Sequence, residues 1–180
     1  MVVVAVLTML GESINRDLIY SYRDRPRPEL WTPVPHTQLR GQLTTAARAK
    51  VTIEVLQALQ GRVSRGDYLL AYDGTPLLQY LTYTRPYTGH PWLMTDDDPK
   101  VVPGLLRTAY HTSKCLPVAV RSLGSTRSQD WPARFRKLEP QHAGTRRAIE
   151  HFLRANGYRS TWRNAYFEIL EPPGERARCR

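Results

Sequence analysis

The sequence lacks the short motifs that many enzymes use to hold a cofactor or an activated nucleophile. No Gly-x-Gly-x-x-Gly or phosphate-loop pattern follows a candidate strand, and no Gly-x-Ser-x-Gly elbow is present. None of the five histidines forms a His-x-x-x-His pair, which argues against a zinc site. The sequence therefore predicts no cofactor, no metal site and no catalytic residue from these patterns.

Cysteine is scarce, and its spacing excludes a further class of site. Cys115 and Cys179 lie far apart, with no Cys-x-x-Cys pair and no histidine near them at ligand spacing. They do not form a metal site, and two cysteines do not decide the redox compartment. Cys115 stands just before a candidate strand, so we expect it to be a small buried hydrophobic residue.

The N-terminus carries the one long apolar run, at residues 1–10, and this run has no basic residue in front of it. It therefore lacks the charged start and the cleavage site of a signal peptide. It is also only about half of the ~20 residues that span a bilayer. Two interpretations stay open, a buried strand or the end of a longer hydrophobic helix. Four prolines in residues 23–36 then predict an extended arm.

Acidic residues are few: the chain has 16 of them and 26 basic residues, so its net charge is +10. Arginine outnumbers lysine by 22 to 4, and residues 121–180 hold thirteen basic residues against six acidic ones. This excess fits a phosphate-rich partner such as nucleic acid, anionic lipid or a lipid-linked phosphate. It fits equally a solvated surface from an arginine-biased coding sequence.

Residues 66–86 (GDYLLAYDGTPLLQYLTYTRP) predict a strand, a tight turn and a short helix. Residues 68–72 are apolar on both faces, as in a central parallel strand. Asp73-Gly74 ends the strand because glycine tolerates positive φ, Thr75 is placed to cap a helix, and Pro76 suits its first position. Ligands of parallel α/β sheets bind beyond the carboxyl ends of the strands, which here means Asp73 to Thr75.

The remaining periodicity predicts an α/β fold. We expect a helix capped by Thr44 or Thr45 and ending at Gly61, a helix opened by Asp98-Pro99, a strand at residues 116–121, a helix at 145–156 and a hairpin turning near Asn164. This order predicts a two-layer or three-layer sandwich with a small, largely parallel sheet, helices on its faces and a C-terminal β-hairpin. The predicted domains are an apolar segment and arm at 1–36, an α/β domain at 37–173 and a flexible tail at 174–180.

Two further functions are left open as alternatives. The first is a metal-dependent sugar or phosphoryl transferase, in which Asp96, Asp97 and Asp98, after an extended piece, hold a divalent cation against a diphosphate. The simpler interpretation of these aspartates is a helix cap before Pro99. Trp131 near Arg134 and Arg136 would suit a sequence-tolerant nucleic-acid-binding module. Sequence-specific recognition of nucleic acid is not expected, because no known reading motif is present.

Three stretches resemble one family. The segment at 66–86 and the ending at 149–170 (IEHFLRANGYRSTWRNAYFEIL) are similar to the extracytoplasmic C-terminal domain of polytopic bacterial membrane proteins. Those proteins resemble the C-superfamily glycosyltransferases, which depend on lipid-phosphate sugars. Tyr22-Arg23-Asp24 and Leu39-Arg40-Gly41 fit the juxtamembrane entry of the same pattern. The resemblance covers about residues 20–170.

The resemblance implies a non-catalytic accessory domain on the extracytoplasmic side of a bacterial cell membrane. Residues 1–10 would then be the tail of the last transmembrane helix, and no catalytic residue carries over, because the family's catalytic acid lies in a loop that this chain does not match. The implied partners are the remainder of the membrane protein, a polyprenyl phosphate or anionic lipid, and glycan. The candidate contacts are Asp73, Thr75, Arg85, Asp96 and Arg121.

Overall fold

The protein is described by a computed structural model that covers residues 30–93, 100–126, 131–133, 143–174 and 179. A five-stranded sheet lies between two pairs of helices, which gives three layers. The elements, in chain order, are β1 Thr32–Pro33, β2 Leu43–Thr44, α1 Ala46–Leu59, β3 Tyr68–Tyr72, α2 Pro76–Leu81, β4 Arg85–Pro86, α3 Val102–Ser113, β5 Val118–Ser122, α4 Ala143–Ala155, β6 Arg159–Arg163 and β7 Phe167–Glu171.

The strand order of the main sheet is β4-β3-β5-β7-β6. Strand β3 is parallel to both β4 and β5, whereas β7 is antiparallel to β5 and to β6. Four strands therefore share one direction and β7 alone runs against them, so the sheet is mixed. The predicted α/β class and C-terminal hairpin are confirmed. The first two strands, β1 and β2, form a separate antiparallel pair.

The core follows from the alternation of side chains along the central strands. Leu69 and Ala71 of β3 face one layer of the core, which includes α1 and α2. Leu70 and Tyr72 face the other layer, which includes α3 and α4. Because both faces of β3 are covered, its residues are apolar without a gap, as the sequence predicted.

Local signals set the ends of the elements. The Thr45 hydroxyl accepts the N–H of Arg48 at 3.3 Å, so Thr45 is the predicted cap of α1. Pro76 begins α2, as predicted, and Gly74 has a φ of 81°. The side-chain oxygen of Asn164 accepts the N–H groups of Tyr166 and Phe167, each at 2.8 Å, which closes the predicted hairpin turn.

The two cysteines correct the sequence analysis. Cys115 is half-buried and forms a disulfide with Cys179 rather than packing as a free apolar side chain. Cys179 is itself buried, and its N–H donates to the carbonyl oxygen of Leu116 at 3.1 Å. The chain is therefore fixed to the body at residue 179, where the sequence predicted a flexible tail. The pairing was missed because cysteines 64 positions apart give no local signal.

Several predictions lie outside the described residues, namely those for residues 1–29 and for Asp96, Asp97 and Asp98. The described end of the arm lies against the body, because Val34 is buried with Leu39 of the 3-10 turn Thr37–Leu39 and with Ala49 of α1. Across the described ranges, no helix has the length and apolar character needed to cross a membrane.

Candidate functional site

A row of polar side chains crosses the sheet on the face that α4 covers. The strand register places Tyr72 of β3 beside Arg121 of β5, and Arg121 beside Glu168 of β7. Arg163 of β6 continues the row on the far side of Glu168. Residues directly opposite each other on neighbouring strands have side chains on the same face, so these four form one cross-strand row.

A second row lies on helix α4. Arg146, Glu150 and Arg154 are spaced four residues apart, and this spacing puts them on one side of a helix with alternating charge. Arg146 Nε donates to Asp73 Oδ1 at 2.9 Å. Glu150 Oε1 accepts from Arg121 Nη1 at 2.5 Å. The helix row therefore pairs with the end of β3 and with the middle of the sheet row.

Arg121 is the hub of the ion pairs. It contacts Glu150, and its Nη2 lies 2.7 Å from Glu168 Oε2. Burial would raise the pKa of Glu168, but the hydrogen bond and the charge of Arg121 outweigh burial and lower it. Burial acts to lower the pKa of Arg121, and the neighbouring Tyr72, Glu168 and Glu150 raise it overall. The two charges of the Arg121–Glu168 pair therefore stabilise each other.

Asp73 occupies the carboxyl end of β3 in an unusual backbone conformation. Its φ is 60°, a left-handed value that aspartate tolerates better than most residues. Burial raises the pKa of its carboxyl group, while the bond to Arg146 opposes that rise. Asp73 Oδ2 and Arg146 Nη2 are both buried and have no hydrogen-bond partner within the described part of the chain. The pair is thus only half satisfied.

A cavity of about 220 Å³ opens between α4 and the sheet beside these rows. Tyr72, Arg121, Glu150 and Arg154 contribute its polar lining. Tyr72 is 1% exposed, and its hydroxyl has no hydrogen-bond partner among the described residues. Burial, the largest cause, raises the pKa of this hydroxyl, so it stays protonated and is a hydrogen-bond donor.

The structure brings together some of the sequence-predicted site residues. Arg121 lies in the sheet row, and Asp73 pairs with Arg146 of the helix row. Thr75 is buried, and its hydroxyl donates to the Tyr72 carbonyl oxygen at 2.9 Å. Thr75 stands at the predicted helix cap, but its side chain accepts no hydrogen bond from α2. Arg85 is not part of this site, because it pairs with Tyr68 at the amino end of β3. Asp96 lies outside the described residues.

Arg85 makes contacts of its own at the opposite end of the sheet. Its guanidinium carbon lies 4.1 Å from the ring centroid of Tyr68, and its Nε donates to the Gly66 carbonyl oxygen at 2.7 Å. It was grouped with Asp73 because both flank the short helix α2 in the sequence. Helix α2 carries the chain back along the sheet, so β4, which is parallel to β3, begins at the end where β3 begins.

The structure does not test the proposed cation site at Asp96, Asp97 and Asp98, because these residues lie outside the described ranges. Among the residues that are described, no group of three or more metal-ligating side chains converges. The nucleic-acid alternative depended on Trp131. Trp131 is buried against Tyr166 and Phe167, with ring centroids 6.3 and 6.2 Å away. It therefore belongs to the core and offers no exposed ring for stacking on a base. Its basic neighbours Arg134 and Arg136 lie outside the described part.

Sequence reasoning missed Tyr72, Arg146, Glu150 and Glu168 as members of the site. The spacing of residues 146, 150 and 154 was a usable signal, because it places a stripe of alternating charge on one side of the predicted helix. Glu168 was a second signal, since it interrupts the apolar strand β7 and must be paired if buried.

No protein-family model, curated protein or solved structure matches this chain. The α/β architecture and the charged rows therefore rest on the structure itself. The resemblance to extracytoplasmic domains of C-superfamily glycosyltransferases stays a prediction.

Proposed function

We propose that this chain is a non-catalytic, extracytoplasmic accessory domain of a glycosyltransferase-like membrane protein. In this proposal the outer face of α2 lies on a lipid surface that carries phosphate groups, and the cavity beside α4 contacts glycan. The proposal joins the family resemblance to two features of the described structure. One is an exposed apolar face, and the other is a disulfide.

The observation that carries the proposal is the outer face of α2, defined by Leu77, Tyr80 and Tyr83. Leu77 is 50% and Tyr80 is 57% exposed, and both follow the spacing of one helix side. Tyr83 is also exposed in the turn after α2, and the exposed Arg65 lies 4.9 Å from its ring centroid. Tyrosine is enriched at membrane interfaces and arginine is attracted to phosphate, so this composition suits a lipid surface.

The Cys115–Cys179 disulfide supports the extracytoplasmic placement. Disulfides form and persist outside the cytosol, where glutathione and thioredoxin do not keep thiols reduced. The bond joins the start of the β5 region to the end of the chain, so it closes a long loop. Such a cross-link contributes to stability where it can form.

The charged rows support binding rather than catalysis. Asp73, Glu150 and Glu168 are each paired with an arginine in the described structure. A general base or a nucleophile must be free to take up a proton or to attack substrate, and these carboxylates are already engaged. The paired charges instead fix the positions of the donors and acceptors that line the cavity.

The proposal is tested by flotation of the chain with lipid vesicles at about 0.15 M salt. Three vesicles are compared: phosphatidylcholine alone, phosphatidylcholine with phosphatidylglycerol, and phosphatidylcholine with a polyisoprenyl phosphate. We expect flotation with phosphate-monoester or other anionic vesicles and none with phosphatidylcholine alone. Preference for polyisoprenyl phosphate identifies a carrier lipid, and equal flotation identifies general anionic headgroups.

Matched variants assign the contact to one face. The double variant Leu77→Ser/Tyr80→Ser changes two exposed side chains of α2 and should abolish flotation without unfolding the chain. Tyr110→Ser changes an exposed tyrosine on α3, in the opposite helix layer, and should float like the unmodified chain. Failure to float with any vesicle, or equal loss in both variants, would overturn the proposal.

A further inference from the structure

We infer that the cavity between α4 and the sheet binds one neutral sugar ring. This inference rests on the proposed function, because it specifies the glycan that the accessory domain contacts. It also goes beyond that function, because it excludes the phosphate group from this cavity. Four features of the cavity support a neutral sugar: its volume, its polar lining, its apolar lining and the unpartnered Tyr72 hydroxyl.

The volume limits what the cavity holds. At about 220 Å³ it is smaller than the ~300–1,000 Å³ of typical ligand pockets. A complete nucleotide sugar or an oligosaccharide does not fit such a space. A single ring at the end of a longer glycan does, with the rest of the glycan outside.

The polar lining contains both hydrogen-bond donors and acceptors. Arg121 and Arg154 supply N–H donors, and the Glu150 carboxylate supplies an acceptor. A sugar ring carries neighbouring hydroxyl groups that each donate and accept, so it matches both kinds of group. A guanidinium group donates to one sugar hydroxyl, and a carboxylate accepts from the next. A lining with both groups is therefore suited to a ligand with adjacent hydroxyls.

The same lining disfavours a phosphate. The charge of Arg121 is already balanced by Glu150 and by Glu168. A phosphate entering the cavity would meet the Glu150 carboxylate and be repelled by its charge. Arg154 alone adds positive charge at this lining, and it is exposed. A neutral ligand avoids the repulsion and keeps the hydrogen bonds.

The apolar lining completes the match. Leu153, Leu170 and the ring of Tyr158 form this part of the cavity. The Tyr158 hydroxyl is occupied, because it donates to the Pro117 carbonyl oxygen at 2.7 Å. An apolar aromatic and aliphatic surface is suited to the C–H groups on one face of a sugar ring.

The buried Tyr72 hydroxyl is an observation independent of the shape and lining of the cavity. Its hydroxyl is buried and remains a donor with no acceptor in the described structure, a situation that costs free energy in a folded protein. Tyr72 is one of the residues that line the cavity, so a sugar oxygen that reaches this buried hydroxyl would supply the missing acceptor. The Tyr72 hydroxyl would then have a hydrogen-bond acceptor only when the sugar is bound.

The test uses the full chain with its disulfide intact and saturation-transfer NMR of methyl glycosides. Methyl glucopyranoside, methyl mannopyranoside and methyl galactopyranoside are compared with inorganic phosphate. We expect at least one glycoside to bind saturably and phosphate neither to bind nor to compete. Binding of phosphate alone, or of none of the four, overturns the inference.

Variants link the signal to the cavity. Tyr72→Phe removes the unpartnered hydroxyl, and Arg154→Ala removes an exposed donor; each should weaken glycoside binding about threefold to tenfold. Arg147→Ala removes an exposed arginine from the same helix away from the cavity and should leave binding unchanged. Equal affinity in all three variants overturns the assignment. The α2 variants should bind the glycoside normally, so a failure of vesicle binding is distinguishable from a failure of this inference.

Discussion

Replacing Arg121 with methionine should destabilise the fold more than any other single change to the charged rows. The change leaves the Glu168 side chain, 7% exposed, without its close cation and leaves Glu150, 32% exposed, facing it. Breaking a buried ion pair by removing one partner costs about 3–5 kcal/mol. Arg163, 3.9 Å from Glu168, compensates in part. We therefore expect Arg121→Met to cost about 3 kcal/mol.

A cost of about 3 kcal/mol corresponds to a fall in melting temperature of about 6–12 °C for a chain of this size. Thermal unfolding followed by circular dichroism at neutral pH, with the disulfide intact, measures this fall. Arg147→Met makes the same side-chain change at an exposed position of α4 and should stay within about 0.5 kcal/mol of the unmodified chain.

A double-mutant cycle separates the pair from the rest of the fold. In Arg121→Met/Glu168→Leu no carboxylate remains buried at Glu168, so the double variant should be more stable than Arg121→Met alone. A cost below about 0.5 kcal/mol for Arg121→Met, or costs that simply add, would show that Arg121 is not the hub described above.

Three further predictions concern the cavity, the acid limit and the cross-link. Tyr72→Phe should unfold at the same or a higher temperature, because it removes a buried hydroxyl that has no partner; a clear loss of stability by circular dichroism would show that the hydroxyl has a structural bond. The pKa of Glu168 is lowered in the fold, so its contribution is present above its ordinary value of about 4.3 and lost as the pH falls. In Glu168→Gln the unfolding free energy, measured by urea titration, should therefore fall less steeply below about pH 4.3. The same pH dependence in the variant and the unmodified chain would contradict this. Reduction of Cys115–Cys179 should cost about 2–4 kcal/mol, measured by urea unfolding with and without reductant, and an unchanged midpoint would contradict it.

The sequence was sufficient for the elements whose cause is local. Thr45, Pro76 and Asn164 act on neighbouring backbone groups, and the structure places the helix ends and the hairpin turn where those residues predicted them. The unbroken apolar run of β3 likewise predicted a strand covered on both faces. Each of these features is decided within a few residues, so a single sequence carries the information.

The features that the sequence did not reveal depend on register between distant strands. Arg121 meets Glu168 only because β7 inserts antiparallel beside β5. Arg85 was assigned to the wrong end of the sheet for the same reason, since its position depends on the parallel pairing of β4 with β3. The disulfide joins residues that are 64 positions apart. Tertiary pairing, rather than local propensity, decides all three.

The proposed placement on a lipid surface is tested most directly by hydrogen exchange with mass spectrometry. The full chain is compared with phosphatidylcholine vesicles and with vesicles that also contain polyisoprenyl phosphate. We predict slower amide exchange in peptides that cover Pro76–Leu81 and the adjoining Tyr83 only when the phosphate lipid is present. Unchanged exchange in these peptides, with slowing elsewhere or nowhere, would contradict the proposed membrane contact.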